Sequence, residues 1–492
     1  MKRVGQAITL WLICVALLGT WAAPAAMSAD STSASGGMLV FEHVSVIPMD
    51  SNRVLPDQTV LIQGDLITAI GPAATVPFSP QALQVDGRGK FLMPGLVDMH
   101  VHLLGRDEVN DVLTMFLAYG ITAIRQMSGS PGVLALRRKV QEGEVLGPTI
   151  FTVGELIDGS PPVWDRGTAV VTTPEMAREV VDRQKQAGYD EVKVYDNLLS
   201  PEYEAVMAEA ARVGIPVVGH LPKDVPLERA LHLHQASIEH LTGYLTYVQR
   251  SDSPFAFAHR DAGPLAGTEQ SAGHASNATV AHASEPDLEM PRWVNPEKIP
   301  EIAKLTAEAG TWNVPTLVTL VNAKRKEEYP QAWKRPGMQY ATKSMRDWWN
   351  SDVETSDPAA RAQLLDIRLS LVRALHQAGA KLLVGTDTPH PFVLPGLSVH
   401  DELHNFIAAG LTPYEALWSA TRGPAEFLAQ PHEFGVVATG ARADLLLLEA
   451  NPLTNIDNAL RIVGVMVRGR WLSSERLRRD LGTPAAKQPR PN

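Results

Sequence analysis

Phe91–His102 reads FLMPGLVDMHVH, an apolar run that ends in two histidines. Strand side chains alternate faces, so His100 and His102 point the same way across Val101. Two imidazoles on one face can grip a metal ion, and neutral imidazole is the commonest metal-binding side chain. Asp98 stands two residues earlier on that face and is expected to orient one of the rings. A second His-x-His, His232 and His234, lies in PLERALHLHQA, whose character is helical. There the two rings diverge around the axis, and both are expected at the surface.

Working outward, the chain has 492 residues with 45% hydrophobic and 20% charged side chains, an ordinary globular composition. Met1-Lys2-Arg3, the apolar ITLWLICVALLGTWAA and the small residues of APAAMSA form a signal-peptide pattern over 1–29, with cleavage expected between Ala25 and Ala29. The expectation is an exported protein, periplasmic or secreted, with no stable membrane insertion after cleavage. Cleavage removes Lys2, Arg3 and Cys14, the single cysteine. Lys plus Arg then falls from 44 to 42 against 54 acidic residues, a net charge of −12. Such a chain is a poor nucleic-acid binder. With no thiol left, any metal must rest on nitrogen and oxygen ligands.

Short β-like runs occupy 38–90 and recur at Ala443–Leu448 and Ile462–Leu472. Neither end buries a core alone, so a composite β-sandwich from 38–90 plus 432–475 is expected, with 476–492 a flexible tail. Between them, apolar runs alternate with helices opened by a capping residue and proline and closed by glycine: Thr173-Pro174 to Gly188, Ser200-Pro201 to Gly214, Asn295-Pro296 to Gly310, Asp357-Pro358 to Gly379. Eight apolar runs (91–102, 121–127, 149–157, 190–195, 215–220, 236–240, 312–320 and 381–387) argue for an α/β fold, a (β/α)8 TIM barrel over 91–431. Long connections at 242–293 and 321–355 follow strands and are expected to be lids over the catalytic face; the second mixes aromatic and cationic residues.

The run ends carry the chemistry. They present His100 and His102 on the first, Lys193 on the fourth, His220 on the fifth, His240 on the sixth and Asp387 on the eighth. Pro94–His102 together with EVKVYDNLLSPE, VVGHLP, SIEHLTGY and LLVGTDTPH resembles the metal-dependent amidohydrolase superfamily, in a bacterial branch similar to prolidase-type and imidazolonepropionase-type hydrolases. The resemblance runs from about Met38 to Leu472. It implies two divalent ions, zinc first, held by His100, His102, Lys193, His220, His240 and Asp387, with a carbamate on Lys193 bridging them. It also implies a metal-bridging hydroxide, with Asp387 as the catalytic proton carrier, cleaving a carbon–nitrogen bond in a small molecule such as a dipeptide, an N-acyl amino acid or a lactam. A lactonase or phosphotriesterase could use the same pair of ions, and a non-catalytic hydantoinase-like scaffold is the rival of another class. The resemblance also allows a homo-oligomer.

Substrate contacts are less legible. Arg125 could receive a carboxylate or form a structural ion pair. Tyr195 and Tyr244 could donate to a carbonyl oxygen or simply pack. His390 and His400 follow the eighth run and are candidates to touch substrate. The family's dipeptidases often place an aromatic shortly after the strand-five histidine, where this chain has His220-Leu-Pro-Lys223, a departure that weakens the dipeptidase reading.

Overall fold

Gly95 divides the run Phe91–His102 between two sheets. In the computed structural model, which describes residues 37–103, 108–257, 285–352 and 354–482, Phe91–Pro94 pairs antiparallel with Leu445–Leu448 and parallel with Met38–Val46. Leu96–Val101 instead pairs parallel with Ile121–Gln126. The amide of Gly95 donates to the Asp444 carbonyl at 2.9 Å, and a Cβ here would stand 2.0 Å from Thr122 Oγ1. Only glycine fits so close an approach. The leader 1–29, residues 258–284 of the first long connection and residues 483–492 lie outside the described residues.

Both chain ends contribute to one eight-stranded sheet. Its order is Arg470–Ser473, Ile462–Val467, Leu445–Leu448, Phe91–Pro94, Met38–Val46, Leu55–Gln63 and Leu66–Pro72, with Leu83–Asp86 beside Met38–Val46. Its ladders are continuous from one edge to the other. The edge strand returns on the sheet through a Leu66–Arg442 bridge and the bonds Ile67 N to Ala441 O (2.9 Å) and Ala443 N to Asp65 O (2.7 Å). Phe41, Ile62, Leu92 and Leu447 lie in its private core. The expected tail is also shorter than read, because Ser474–Gly482 is a helix with Leu477 buried, packed against the helix Val109–Ala118.

The central strands are all parallel and fall into two groups. Leu96–Val101, Ile121–Gln126 and Thr149–Thr152 form one. Thr168–Val170, Leu156–Asp158, Val192–Val194, Val217–Gly219, Ser237–Glu239 and Trp312–Val314 form the other. Single parallel bridges, Val153 to Glu191, Asn313 to Leu382 and Val101 to Thr388, link the groups. The eighth run, 381–387, supplies bridges rather than a ladder. Its amides change partner residue by residue, Leu383 to Asn313, Val384 to Ser419 and Asp387 to His100, and Asp387 sits at φ 59°, where a ladder cannot continue.

Helix termini follow the capping chemistry. Thr173 accepts from Met176 N ahead of Pro174–Ala187, and Gly188 closes that helix at φ 85°. Thr412 and Glu415 form a reciprocal capping box at Pro413–Trp418. Among the described residues no helix is long and apolar enough to cross a membrane. The segment after the seventh strand is ordered by its aromatics: Trp333 stacks on Trp349 at 5.6 Å, and Trp349 Nε1 donates to the Pro389 carbonyl at 2.9 Å. That bond ties the segment to the loop carrying Asp387.

Candidate metal centre

Asp387 is the hub. Its amide donates to the His100 carbonyl at 2.7 Å, which seats its carboxylate under the first strand's histidines. Oδ1 lies 3.0 Å from His102 Nε2 and 3.3 Å from His100 Nε2. Oδ2 lies 2.9 Å from His390 Nε2 and 3.9 Å from His240 Nε2. The His240 ring is 4.6 Å from that of His100 and 4.9 Å from that of His220, centroid to centroid. His100, His102 and Asp387 form the tightest set, with one donor atom from each lying within 4.8 Å of the others.

Each imidazole but one is held from its far side by a polar side chain. His100 Nδ1 meets Glu239 Oε2 at 2.8 Å, His220 Nδ1 meets Asp196 Oδ1 at 2.7 Å, and His240 Nδ1 meets Thr316 Oγ1 at 2.6 Å. For His102 the visible partner is Asp387 itself. Such backing is how proteins orient metal-binding histidines. Burial drives the His100 and His240 imidazolium forms well down, and lowers that of His102, despite the nearby Asp387 charge, favouring the neutral, ligating form. Burial opposes the Asp387 carboxylate, yet His390 and the hydrogen bond from His102 work against burial, and its pKa lies well below the ordinary range.

The residues present fit a divalent cation. His100 Nε2 is buried with no hydrogen-bond partner among the described residues, and it faces Asp387 Oδ1 at 3.3 Å, an oxygen whose near neighbour is His102 Nε2 at 3.0 Å. A buried ring nitrogen left bare is costly, and one that faces a carboxylate oxygen is what a shared cation would satisfy. Lys193 is fully buried, with Nζ 5.5 Å from the centre of the Tyr195 ring. Burial pulls its ammonium down to about 8, against the pull of Asp387 and Glu239, so a share of neutral amine is present at neutral pH.

Several expectations need correcting. Asp98 holds no imidazole: its carboxylate takes the amides of His100 (3.2 Å) and Thr386 (3.0 Å) and the Thr386 hydroxyl (2.6 Å). Residues two apart on a strand are separated by about 6.6 Å, too far for so short a side chain to reach the ring. Of the two readings of Arg125, the structure shows the ion pair: it is fully buried and donates to the Met99 carbonyl (2.7 Å), to Ser237 (3.3 Å), to Glu239 (2.7 Å) and to Glu191 (3.5 Å). Tyr244 is likewise buried away from the site, bonded to Thr306 at 2.9 Å. His400 is buried on the helix Leu397–Ala408 and donates from Nε2 to the Tyr119 carbonyl at 2.9 Å. Tyr195 does sit at the centre, stacked 4.0 Å from the His220 ring and accepting from Trp164 Nε1 at 3.0 Å. His390 joins Asp387 as given above. Glu239, Asp196 and Thr316 were missed. The available signal was an acid directly before His240 inside the apolar run SIEH, a charge that must be answered from within the core.

Comparison with known proteins agrees with this geometry. Imidazolonepropionase of Arthrobacter sp. (strain FB24) is 43% identical over 53 residues, 11% of this chain and 13% of that protein. Adenine deaminase of Chelativorans sp. (strain BNC1) is 25% identical over 200 residues, 37% of this chain and 32% of that protein. The chain thus spans about a third or less of the length of these curated relatives. Among solved structures, bottromycin amidohydrolase superposes with a TM-score of 0.69 at 28% identity, covering 90% of this chain and 88% of that one. A Xaa-Pro dipeptidase with bound methionine has a TM-score of 0.62 at 19% identity over 89% and 100% of the two chains, a likeness of fold alone. Residues 91–472, from the strand run that delivers His100 to the last strand of the end sheet, match a single family, and the chain belongs to the amidohydrolase family.

Proposed function

We propose that this protein is a metal-dependent hydrolase that cleaves the carbon–nitrogen bond of a small amide, such as a dipeptide, an N-acyl amino acid or a lactam. The observation that carries the reading is the buried His100 Nε2, without a hydrogen-bond partner among the described residues and 3.3 Å from Asp387 Oδ1, which His102 Nε2 also approaches at 3.0 Å. The reading includes closure of the parallel strands into a (β/α)8 barrel. The bonds Met99 N to Val384 O and Leu383 N to Asn313 O, both 2.9 Å, support it by joining first, eighth and seventh runs.

His100, His102 and Asp387 would hold one ion, His220 and His240 a second, and Lys193, as a carbamate, would serve both. Divalent ions in this position lower the pKa of a bound water to about 7 and polarise a carbonyl oxygen. Asp387, ionised at neutral pH, accepts the proton of the attacking water at its carboxylate and returns it to the leaving nitrogen. His390, 2.9 Å from Oδ2, steadies that carboxylate during the transfer. Trp349, fixed on the Pro389 carbonyl, holds the loop bearing both residues in place. The leader is read as a cleaved export signal, checked by sequencing the amino terminus of the protein recovered from its native host.

Turnover of a dipeptide and N-acyl amino-acid library by metal-loaded protein tests the activity, with Asp387→Asn as the control. Undiminished turnover in that variant removes the mechanism. Metal counting on Lys193→Ala tests the bridge: fewer than two tightly held ions are expected, and two would refute it.

A further inference from the structure

His100 can ligate through Nε2 only if its ring proton sits on Nδ1. We propose that Glu239 and Arg125 act together as positioning residues that lock His100 in this tautomer. The proposal rests on the metal-centre reading above, and its test is chosen to separate the two.

Glu239 is used from both oxygens. Oε2 faces His100 Nδ1 at 2.8 Å, while Oε1 accepts from Arg125 Nη2 at 2.7 Å and from Ser237 Oγ at 2.6 Å. All four side chains are fully buried. A guanidinium only donates and a carboxylate only accepts. Both ring nitrogens face carboxylate oxygens, but Nδ1 makes a hydrogen bond with Oε2 at 2.8 Å while Nε2 makes none with Asp387 Oδ1 at 3.3 Å, so Nδ1 is the donor. The proton being fixed there, Nε2 carries the lone pair, and it is Nε2 that lies bare 3.3 Å from Asp387 Oδ1. Arg125 adds a second constraint. Its Nε donates to the carbonyl of Met99 at 2.7 Å, so one guanidinium fixes both the carboxylate behind the ring and the backbone beside it.

This arrangement makes a specific demand that shape alone does not. Glu239→Gln keeps the size of the side chain but has a single acceptor. Arg125 can only donate, so it claims the amide oxygen. The amide nitrogen is then turned toward Nδ1, which must accept, and the ring proton moves to Nε2. Nitrogen-15 NMR of metal-free protein reads this directly. Wild type should show His100 protonated on Nδ1, and Glu239→Gln should show it on Nε2. Cobalt(II) affinity, followed by its visible spectrum, should fall about 10–100-fold in that variant. In Arg125→Met with Glu239→Gln, the amide is free to rotate and present its oxygen, since Ser237 can accept as well as donate. That double variant should recover the Nδ1–H tautomer and part of the affinity.

A wild-type His100 protonated on Nε2 overturns the proposal, and that measurement needs no variant to fold. So does a Glu239→Gln protein with unchanged tautomer and affinity, or a double variant no better than the single. A wild type carrying Nδ1–H that binds no cobalt leaves the tautomer assignment standing and removes the metal reading instead.

Discussion

His100 and His220 are both imidazoles delivered by strand ends, and they are held in opposite ways. His100 is sealed, and the carboxylate behind it is answered by a sealed guanidinium. His220 is backed by Asp196, whose side chain is 27% exposed and also faces Lys223 at 3.5 Å, itself 64% exposed. Burial opposes the Asp196 charge, yet His220 and Lys223 outweigh it and hold its pKa at about 2. One half of the centre is thus wired through the core, where every donor needs a fixed acceptor. The other half is wired to the surface, where solvent can replace a lost partner.

The largest effect belongs to the residue that serves both halves. Asp387 reaches His100, His102, His240 and His390, and Asp387→Asn should lower kcat by about 10²–10⁴-fold. Steady-state turnover on whichever amide the screen identifies checks it, with the melting temperature read alongside to show that the fold persists.

A third imidazole sharpens the contrast, because His400 is sealed like His100 but has no carboxylate behind it. It donates from Nε2 to Tyr119 O, and its buried Nδ1 has no partner among the described residues. Burial lowers its pKa from 6.5 to about 4. As pH falls below 6.5, the unfolded chain takes up a proton here that the folded chain refuses until about pH 4. Stability is therefore present in full above 6.5 and drains between 6.5 and about 4, by about 3 kcal/mol at most. His400→Gln should lose that slope. Melting curves of the two metal-free proteins from pH 7 to 4 should converge toward acid, and parallel curves would sink the assignment.

The same contrast explains what the sequence could and could not disclose. His100, His102, His220, His240, Lys193 and Asp387 could be named together because each lies at or near the end of an apolar run, and run ends in a parallel α/β fold share one rim. Their order along the chain also matched a family motif by motif. The sealed wiring was not legible. Glu239 lies 139 residues from His100 and Arg125 another 114 from Glu239, and no local pattern pairs them. Proximity in sequence pointed to Asp98 instead, whose carboxylate went to the amides of His100 and Thr386 and to the Thr386 hydroxyl. Arg125 stayed open between a rim residue and a structural ion pair, because the acids that bury it, Glu239 and Glu191, lie far along the chain. The split at Gly95 was hidden because both halves of Phe91–His102 are equally apolar, and only their partners differ.

The smallest effect tests the comparison most sharply. Asp196→Asn and Glu239→Gln make the same chemical change, a carboxylate to an amide behind a metal-binding imidazole. In the sealed half the amide oxygen is claimed by Arg125, whose other acid partner, Glu191, lies farther off at 3.5 Å and whose buried guanidinium cannot turn to solvent. In the open half the competing donor is Lys223, whose flexible side chain can give up Asp196 for solvent and leave the amide free to offer its oxygen to His220 Nδ1. Cobalt(II) affinity should therefore fall by about tenfold or less in Asp196→Asn, the lower end of the usual range for such partners. Titrating both variants side by side measures the difference. Equal losses would mean that burial of the wiring is irrelevant and that the charge of the backing carboxylate alone sets the strength of each imidazole.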